Sequence, residues 1–215
     1  MNAQISYLDN VDGSCLYNTP HTRVVASATG PVEPKARQEL PTQLALELSV
    51  RPAAGVATTR EVRIQDSVRA VITSILAAYK YPRQLCQLTL QVLQAGESEE
   101  LFHCLELAAC VNSAVFALVD AGVALTALAL ATTVALAHDG TATAEPSRQQ
   151  LMDARSVHTV VFRIVDGKPQ DILSMDSRGD FSEADILKVL DVAETSAKKL
   201  NAQFRETVLA RVNIV

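Results

Sequence analysis

The chain has 215 residues, of which 48% are hydrophobic and 20% charged, and its formal net charge is −5 at pH 7. This length suits one large α/β domain or two closely packed halves, and the apolar content is enough for a sizeable core without disulfide bonds. The negative charge argues against a free-standing nucleic-acid-binding domain, because phosphate contacts need clustered Lys and Arg. Any such contact must be local or shared with another chain.

The cysteines and the amino terminus indicate an intracellular protein. Residues 1–7 lack the basic start and the apolar block of a secretory signal, so we expect a cytosolic or nuclear location. Since no two cysteines form a CxxC pair, we expect reduced thiols in the core. The cysteines are Cys15, Cys86, Cys104 and Cys110.

The first half of the chain predicts strands around one helix. Apolar residues alternate at 24–28 and again at 44–50, which is the pattern of half-buried strands. After Thr59 the spacing becomes that of a helix, which we expect Tyr81-Pro82 to end. Strand spacing returns at 88–92. The apolar stripe of this helix consists of Val68, Val71, Ile72, Ile75, Leu76 and Tyr79.

A second helix and an uncharged segment follow. Apolar residues at 107–118 have helical spacing, and Gly122 stands where a helix carboxyl terminus favours glycine. The uncharged segment 121–137 approaches the roughly 20 residues of a membrane-spanning helix. It is rich in Ala and Thr rather than Leu and is bracketed by Asp120 and His138. We therefore predict two buried strands there and no membrane association.

The last third of the chain predicts a loop and a hairpin. Residues 139–147 have the composition of a loop, and 159–165 form a strand. A further strand lies around 172–175. The dipeptide Asp166-Gly167 between them is a strong hairpin signal.

The final helix has the clearest sequence signature. Ser182 can cap it, and Asp185 completes a pair resembling a capping box. The resulting order of strands and helices contains no obvious linker, so we predict an α+β or α/β fold in a single domain spanning 1–215. The apolar stripe of the final helix consists of Ile186, Val189, Leu190, Ala193, Ala197, Leu200 and Phe204.

Six segments resemble the RNase PH-like ring subunits of the eukaryotic RNA exosome: VDGS, HTRVVASATGP, EPKARQELPTQLALE, VRPAAGVATTRE, YPRQLCQ and LVDAGVAL. The resemblance implies an α+β fold of the ribosomal protein S5 domain 2-like type, with mixed sheets and packed helices. It also implies a heterodimer with another RNase PH-like subunit, within a six-membered ring that carries S1/KH cap subunits. Such a ring would pass single-stranded RNA through its channel, in the nucleus and nucleolus and also in the cytoplasm.

The resemblance further implies that the phosphorolytic site is degenerate. Active members of the family carry an arginine for phosphate at the entry to the second helix, and it falls at Leu107, beside Glu106. Two metal-binding aspartates fall at Leu151 and Val157, whose side chains cannot coordinate a hard cation. Asp153 is the one carboxylate between those two positions.

We therefore expect a non-catalytic ring subunit that supports 3′-to-5′ RNA processing and degradation, without a cofactor or a metal. The alternative is a phosphate-dependent 3′-to-5′ exoribonuclease that is active only with a partner subunit.

Basic residues are the candidates for RNA contact. Lys35 and Arg37 lie in a turn that faces the central channel in the family, where they could bind RNA phosphates without sequence preference. The alternative is that they pair with Glu33 and Glu39 at the surface.

Arg60 and Arg63 are further candidates, because active relatives place another phosphate-binding arginine near the first helix. Asp66 is the nearest equivalent of that arginine here, and Arg69 is expected at an interface or in solvent.

Two other groupings have a structural interpretation. Ser156, His158 and Asp153 could form a nucleophile, base and acid, but adjacent strand residues point to opposite faces and nothing directs the three to one point. The second grouping consists of three aspartates that could bind a cation, but ordinary turn and capping chemistry is the preferred explanation. This group is Asp171, Asp176 and Asp180.

Overall fold

A computed structural model describes residues 2–212 of the chain. Within these residues the chain forms two β-sheets with a helix between them, and the α+β prediction is confirmed. A continuous hydrophobic core draws residues from both sheets and from the helices. The four cysteines are all buried, as predicted.

The first sheet comes from the amino-terminal half. Its strands are β1 (Asn2–Ile5), β2 (Gly13–Asn18), β3 (Arg23–Val32), β4 (Ala45–Arg51) and β5 (Leu85–Gln94). They lie in the order β1-β2-β3-β5-β4, and neighbours are antiparallel except for the parallel pair β4 and β5. Parallel strands need a crossover connection, and helix α1 (Thr59–Ile75) provides it.

The second sheet is antiparallel and comes from the carboxyl-terminal half. Its strands are β6 (Leu128–Ala137), β7 (Ala142–Ala144), β8 (Ala154–Val165) and β9 (Lys168–Gly179), in the order β7-β6-β8-β9. The predicted hairpin joins β8 to β9. Asp166 and Gly167 both have positive φ angles, 51° and 78°, which is the conformation that a two-residue hairpin turn with matching twist requires.

Helix α2 (Cys104–Asp120) lies between the two sheets, and 14 of its 17 residues are buried. A helix that is apolar on all sides has to be covered on all sides, which explains this central position. Asn112 is a polar exception. Its side chain donates to the Tyr17 hydroxyl and the Ala131 carbonyl and accepts from the Ala131 N–H, so it joins α2 to both sheets.

Helix α4 (Glu183–Val212) packs its apolar stripe against the second sheet and β1. The predicted cap is confirmed, because the Ser182 hydroxyl accepts from the Asp185 N–H and the Asp185 carboxylate accepts from the Ser182 N–H. Near its carboxyl end, Phe204 stacks on Phe116 of α2 with ring centroids 4.0 Å apart.

Two predictions about the middle of the chain are wrong. The segment 121–137 forms one strand, β6, rather than two. Because β6 is buried on both faces it lacks the alternation that would mark its start, and the residues before it form a turn at Gly122, where φ is 68°. The predicted loop 139–147 contains β7, and the five-residue helix α3 (Arg148–Met152) follows it.

The end of the first helix also differs from the prediction. Helix α1 stops at Ile75, because the backbone there bonds to residues 124–126 instead of continuing the helix. The Ala77 N–H donates to the Ala124 carbonyl at 3.0 Å, and the Thr126 N–H donates to the Ile75 carbonyl at 2.7 Å. Tyr79 therefore leaves the apolar stripe and lies in a short 3₁₀ turn, Ala78–Lys80.

Two of the quoted sequence motifs meet in space. Asp120, from LVDAGVAL, accepts hydrogen bonds from the backbone N–H groups of Ser6 and Ser14 and from the Ser6 hydroxyl. Ser14 belongs to the VDGS motif, as does Gly13, whose Cα faces the α2 backbone so closely that a Cβ would lie 2.3 Å from the Ala117 oxygen. These motif residues therefore serve to dock α2 on β2.

Candidate functional site

The amino terminus of α2 is occupied by a carboxylate of the chain itself. Glu97, in the loop before the helix, accepts from the Glu106 N–H at 3.0 Å, from the Leu105 N–H at 3.2 Å and from the Cys104 thiol at 3.1 Å. The Glu97 residue is only 5% exposed. The unpaired N–H groups of a helix amino terminus favour an anion, and Glu97 supplies it here.

Arg60 lies beside this helix end. Its Nη1 donates to Glu106 at 2.7 Å and to Glu61 at 3.0 Å, and its Nη2 donates to the Phe102 carbonyl at 2.9 Å. The Arg60 side chain is 20% exposed and that of Glu106 is 3% exposed. These internal partners join α1 to α2 through Arg60. The RNA contact of Arg60 stays a prediction.

Burial dominates the titration of the carboxyl groups at this helix end. It raises the pKa of Glu106 to about 6, although the hydrogen bond and the charge of Arg60 lower it. Burial also raises the pKa of Glu97 above its ordinary value, although the hydrogen bonds from the helix lower it. Two buried carboxyl groups therefore share this helix end with one guanidinium group.

The three positions predicted to have lost catalytic groups are apolar and buried. Leu151 and Val157 pack together with Cys104 in a small cluster of their own. Leu107 belongs to the main core instead. Leu151 is 1% exposed, Val157 is 5% exposed and Leu107 is 3% exposed. The structure therefore brings two of the three together and fills their surroundings with apolar side chains.

Arg63 remains accessible, unlike Arg60. Its side chain is 58% exposed, and its Nη2 lies 3.3 Å from Asp176 on β9. Asp176 also contacts His103 Nε2 at 2.5 Å, and this contact holds the pKa of Asp176 below its ordinary value. An open cavity of about 370 Å³ adjoins this group, lined by basic and acidic side chains that include Arg178 and Glu100.

The basic turn between β3 and β4 is solvent-exposed. Lys35 and Arg37 make no ion pair among residues 2–212, and Glu39 pairs with Arg83 instead. The alternative in which Lys35 and Arg37 pair with Glu33 and Glu39 is therefore wrong. Glu39 has a partner from a distant part of the chain, which local sequence could not reveal.

Ser156, His158 and Asp153, considered above as a nucleophile, base and acid, do not meet. The Ser156 hydroxyl does lie 2.9 Å from His158 Nε2, because residues two apart on a strand share a face, and the argument that they point apart was wrong. His158 Nδ1 contacts Ser177 at 2.8 Å, whereas Asp153 accepts from Gln149. His158 is fully buried, and burial holds its pKa below the ordinary value, so the group is structural.

The three aspartates considered as a cation site each contact a different basic side chain. Within residues 2–212, no group of three or more His, Cys, Asp or Glu side chains could hold a metal ion. No helix in this range is long and apolar enough to cross a membrane. The contacts are Asp171 with Arg163, Asp176 with His103, and Asp180 with Arg155.

Sequence reasoning missed Glu97 and the Arg60–Glu106 pair. A signal existed in the acidic run Glu97-Ser98-Glu99-Glu100 just before α2, since carboxylates stabilise helix amino termini. That signal could not show which of the three acids turns inward.

Comparisons with known proteins agree with this fold. The family model "3′ exoribonuclease family, domain 1" (RNase PH) matches residues 1–124. The exosome complex component RRP46 of Saccharomyces cerevisiae is 45% identical over 209 residues, which cover 96% of this chain and 94% of that one. The crystal structure of rice (Oryza sativa) Rrp46 matches with a TM-score of 0.83 at 22% identity, covering 97% of this chain and 93% of that one.

A structure of the Archaeoglobus fulgidus exosome with RNA bound to the active site also matches, with a TM-score of 0.73 at 17% identity. The match covers 94% of this chain and 88% of that one. At these identities the rice and archaeal structures establish a shared fold.

Proposed function

This chain belongs to the RNase PH family of 3′ exoribonucleases, in its RRP46-type exosome branch, and we propose that it is a ring subunit of an RNA exosome that lacks phosphorolytic activity of its own. Its role is to build the channel through which RNA is processed and degraded from the 3′ end.

The buried Glu97 carboxylate at the amino terminus of α2 is the observation that carries this proposal. Phosphorolysis needs an inorganic phosphate ion as nucleophile, and a helix amino terminus is a favourable place to bind one. Here an internal carboxylate takes the N–H groups, and the carboxylate of Glu106 lies close by. A phosphate would have to displace Glu97 and meet the negative charge of Glu106.

The neighbouring side chains support the same conclusion. Leu107 replaces a guanidinium group that would bind phosphate through two hydrogen bonds. Leu151 and Val157 offer no oxygen ligand for a divalent cation. Because these side chains are packed into apolar clusters, a phosphate or a metal ion would also lose its hydration there without replacement.

The test of catalysis is direct. The purified full chain is incubated with single-stranded RNA, inorganic phosphate and Mg²⁺, and nucleoside diphosphates are measured, with an archaeal exosome as the positive control. We expect no release above the background without protein. Release at a rate comparable with the control would overturn the proposal.

The alternative is activity that appears only with a partner subunit. It requires the partner to supply the phosphate and metal groups to this chain's pocket. Repeating the assay with the assembled ring distinguishes the two functions. Activity that disappears when Leu107, Leu151 or Val157 is replaced by Ala would favour the alternative, whereas activity that is unaffected would belong to another subunit.

The partners we propose are the other RNase PH-like subunits of the ring, with one of which this chain forms a heterodimer, and S1/KH cap subunits on one face. Support comes from the family assignment and from the shared fold with an archaeal exosome. Co-purification of tagged chain with these subunits tests the assembly, and a monomeric elution in their presence would contradict it.

RNA contact is proposed at the exposed turn, through Lys35 and Arg37. Each phosphate contact on a single strand contributes about 0.7 to the slope of log K against log salt, so a Lys35→Ala/Arg37→Ala variant should reduce that slope by about 1.4. Lys168→Ala/Lys188→Ala is the matched control, since both lysines are exposed and far along the chain from the turn. Equal slopes for the two double variants would leave the turn without an RNA role.

We also propose a location in the nucleus and nucleolus, and in the cytoplasm, where RNA-processing rings of this family are expected to act. Imaging of a fluorescently tagged full chain tests this, and exclusion from the nucleus would contradict it.

A further inference from the structure

An exposed tyrosine lies in a segment that contacts the end of the basic turn. Tyr79 is 70% exposed, and its side chain forms no hydrogen bond with any residue from 2 to 212. Its neighbour Tyr81 shows the usual arrangement, because the Tyr81 hydroxyl accepts from the Ala124 N–H at 3.1 Å and its ring packs on the core. The fold therefore accounts for Tyr81 and leaves Tyr79 without a structural task.

The segment carrying Tyr79 is fixed to the segment that carries Lys35 and Arg37. The Arg83 N–H donates to the Leu40 carbonyl at 3.1 Å, and the Arg83 guanidinium pairs with Glu39. Residues 33–40 and 78–83 are therefore joined at Arg83, Glu39 and Leu40, and we call these two segments together the turn surface.

The turn surface is positively charged although the whole chain carries a formal charge of −5. Its cations are all exposed, and of its two anions Glu39 already pairs with Arg83. Exposed cations and an exposed aromatic ring on the same two segments match the needs of a single nucleic-acid strand, which offers phosphates and stacking faces at regular intervals. Fully buried cores of protein interfaces are instead depleted of charge. The cations are Lys35, Arg37, Lys80 and Arg83.

We propose that Tyr79 is a stacking platform for a base of single-stranded RNA, and that Lys80 holds a phosphate flanking that base. This inference rests on the proposed function, since it places a base contact beside the phosphate contacts of Lys35 and Arg37. Stacking on an aromatic ring tolerates every base, because every base has a π face. The site thus adds affinity without sequence preference, as a channel that passes every sequence requires.

The experiment measures binding of a short fluorescein-labelled oligoadenylate to the full chain. Tyr79→Ala should weaken binding about 5- to 100-fold, the loss typical of one stacked base. Tyr79→Phe keeps the ring and should bind within about twofold of wild type. Tyr7→Ala is the matched control, because Tyr7 is also exposed but lies outside the turn surface, and it should bind as wild type does.

A second readout separates stacking from a merely structural effect. The chain has no Trp, so its intrinsic fluorescence comes from tyrosine. Oligoadenylate should quench part of this emission in wild type, and Tyr79→Phe should bind equally well while losing that quenching. Circular dichroism of each variant verifies that it folds.

The outcomes distinguish this inference from the proposed function. If the Lys35→Ala/Arg37→Ala variant loses affinity and Tyr79→Ala does not, stacking is refuted and the RNA contact of the turn stands. If the full chain binds no RNA, both contacts are refuted, while the ring role is judged by co-purification alone. If Tyr79→Ala keeps its RNA affinity but no longer joins the ring subunits, the turn surface is a protein interface and the inference is overturned.

Discussion

Replacing Glu97 by Ala tests the central feature of the candidate site. The substitution removes an acceptor of three hydrogen bonds at the start of α2, from the Leu105 N–H, the Glu106 N–H and the Cys104 thiol. It also removes a negative charge from the surroundings of Arg60. Because α2 lies between the two sheets, loosening its first turn should affect the whole fold.

Two opposing contributions set the size of the effect. Each buried N–H group left without a partner costs about 1–3 kcal/mol. Removing Glu97 also relieves the burial of its carboxylate, which is unfavourable enough to raise its pKa. We therefore expect the free energy of unfolding to fall by about 2–3 kcal/mol. For a chain of this size, that corresponds to a decrease in Tm of about 5–10 °C.

Urea denaturation followed by circular dichroism measures the change. Glu97→Gln keeps one carbonyl acceptor and should lose less stability than Glu97→Ala. Glu100→Ala is the matched control, because Glu100 lies exposed in the same loop and should change the free energy of unfolding by no more than about 0.5 kcal/mol. If Glu97→Ala proves as stable as Glu100→Ala, the carboxylate does not satisfy the helix end and our account of the lost phosphate site fails.

Three further predictions concern the same helix. The folded-state pKa of Glu106, about 6, lies above its ordinary 4.5, so its contribution to the free energy of unfolding should fall by about 2 kcal/mol as pH rises through that window. Glu106→Gln should remove this dependence in urea titrations at several pH values. Asn112→Ala leaves the Tyr17 hydroxyl and both Ala131 backbone groups without a partner and should lower the free energy of unfolding by about 3–5 kcal/mol; equal stability in urea would contradict the bridging role. Gly13→Ala places a Cβ against the α2 backbone and should lower Tm, with a loss of about 1–3 kcal/mol.

Local signals predicted the carboxyl-terminal part of the fold well. Ser182 and Asp185 lie three residues apart, so their capping interaction depends on no other part of the chain. Asp166 and Gly167 likewise adopt the turn that their own conformational preferences favour. Such features follow from sequence because the interacting groups are neighbours in it.

The errors arose where the deciding partner is distant or where burial removes the pattern. Strand β6 is covered on both faces, so its apolar residues do not alternate and its start is invisible in the sequence. Glu39 has acidic and basic neighbours in its own turn, yet it pairs with Arg83, 44 residues further along the chain. Neither outcome follows from residue spacing.

The candidate site shows the same division. The replacement of catalytic groups that we propose at Leu107 and Val157 rests on the sequence alone, because an aliphatic residue cannot bind phosphate or metal wherever it lies. The sequence could not show that Glu97 accepts from the N–H groups of α2 or that Arg60 pairs with Glu106. Both contacts depend on how a loop packs against a helix. From the sequence, Arg60 could therefore be considered only as an RNA contact.

These internal contacts have a physical reason that applies to any enzyme fold that loses its anionic substrate. The N–H groups at the start of α2 and the guanidinium of Arg60 create a positive field whether or not a phosphate arrives, and buried groups of this kind are unstable without a partner. An active enzyme can leave that field open for its substrate, which stabilises the fold on binding. A chain without phosphorolytic activity, as we propose for this one, needs internal partners for these groups, and Glu97 and Glu106 are those partners here. The carboxylates that partner these groups would also exclude a phosphate, so the loss of catalysis that we propose and the pairing of these buried groups would have one structural cause.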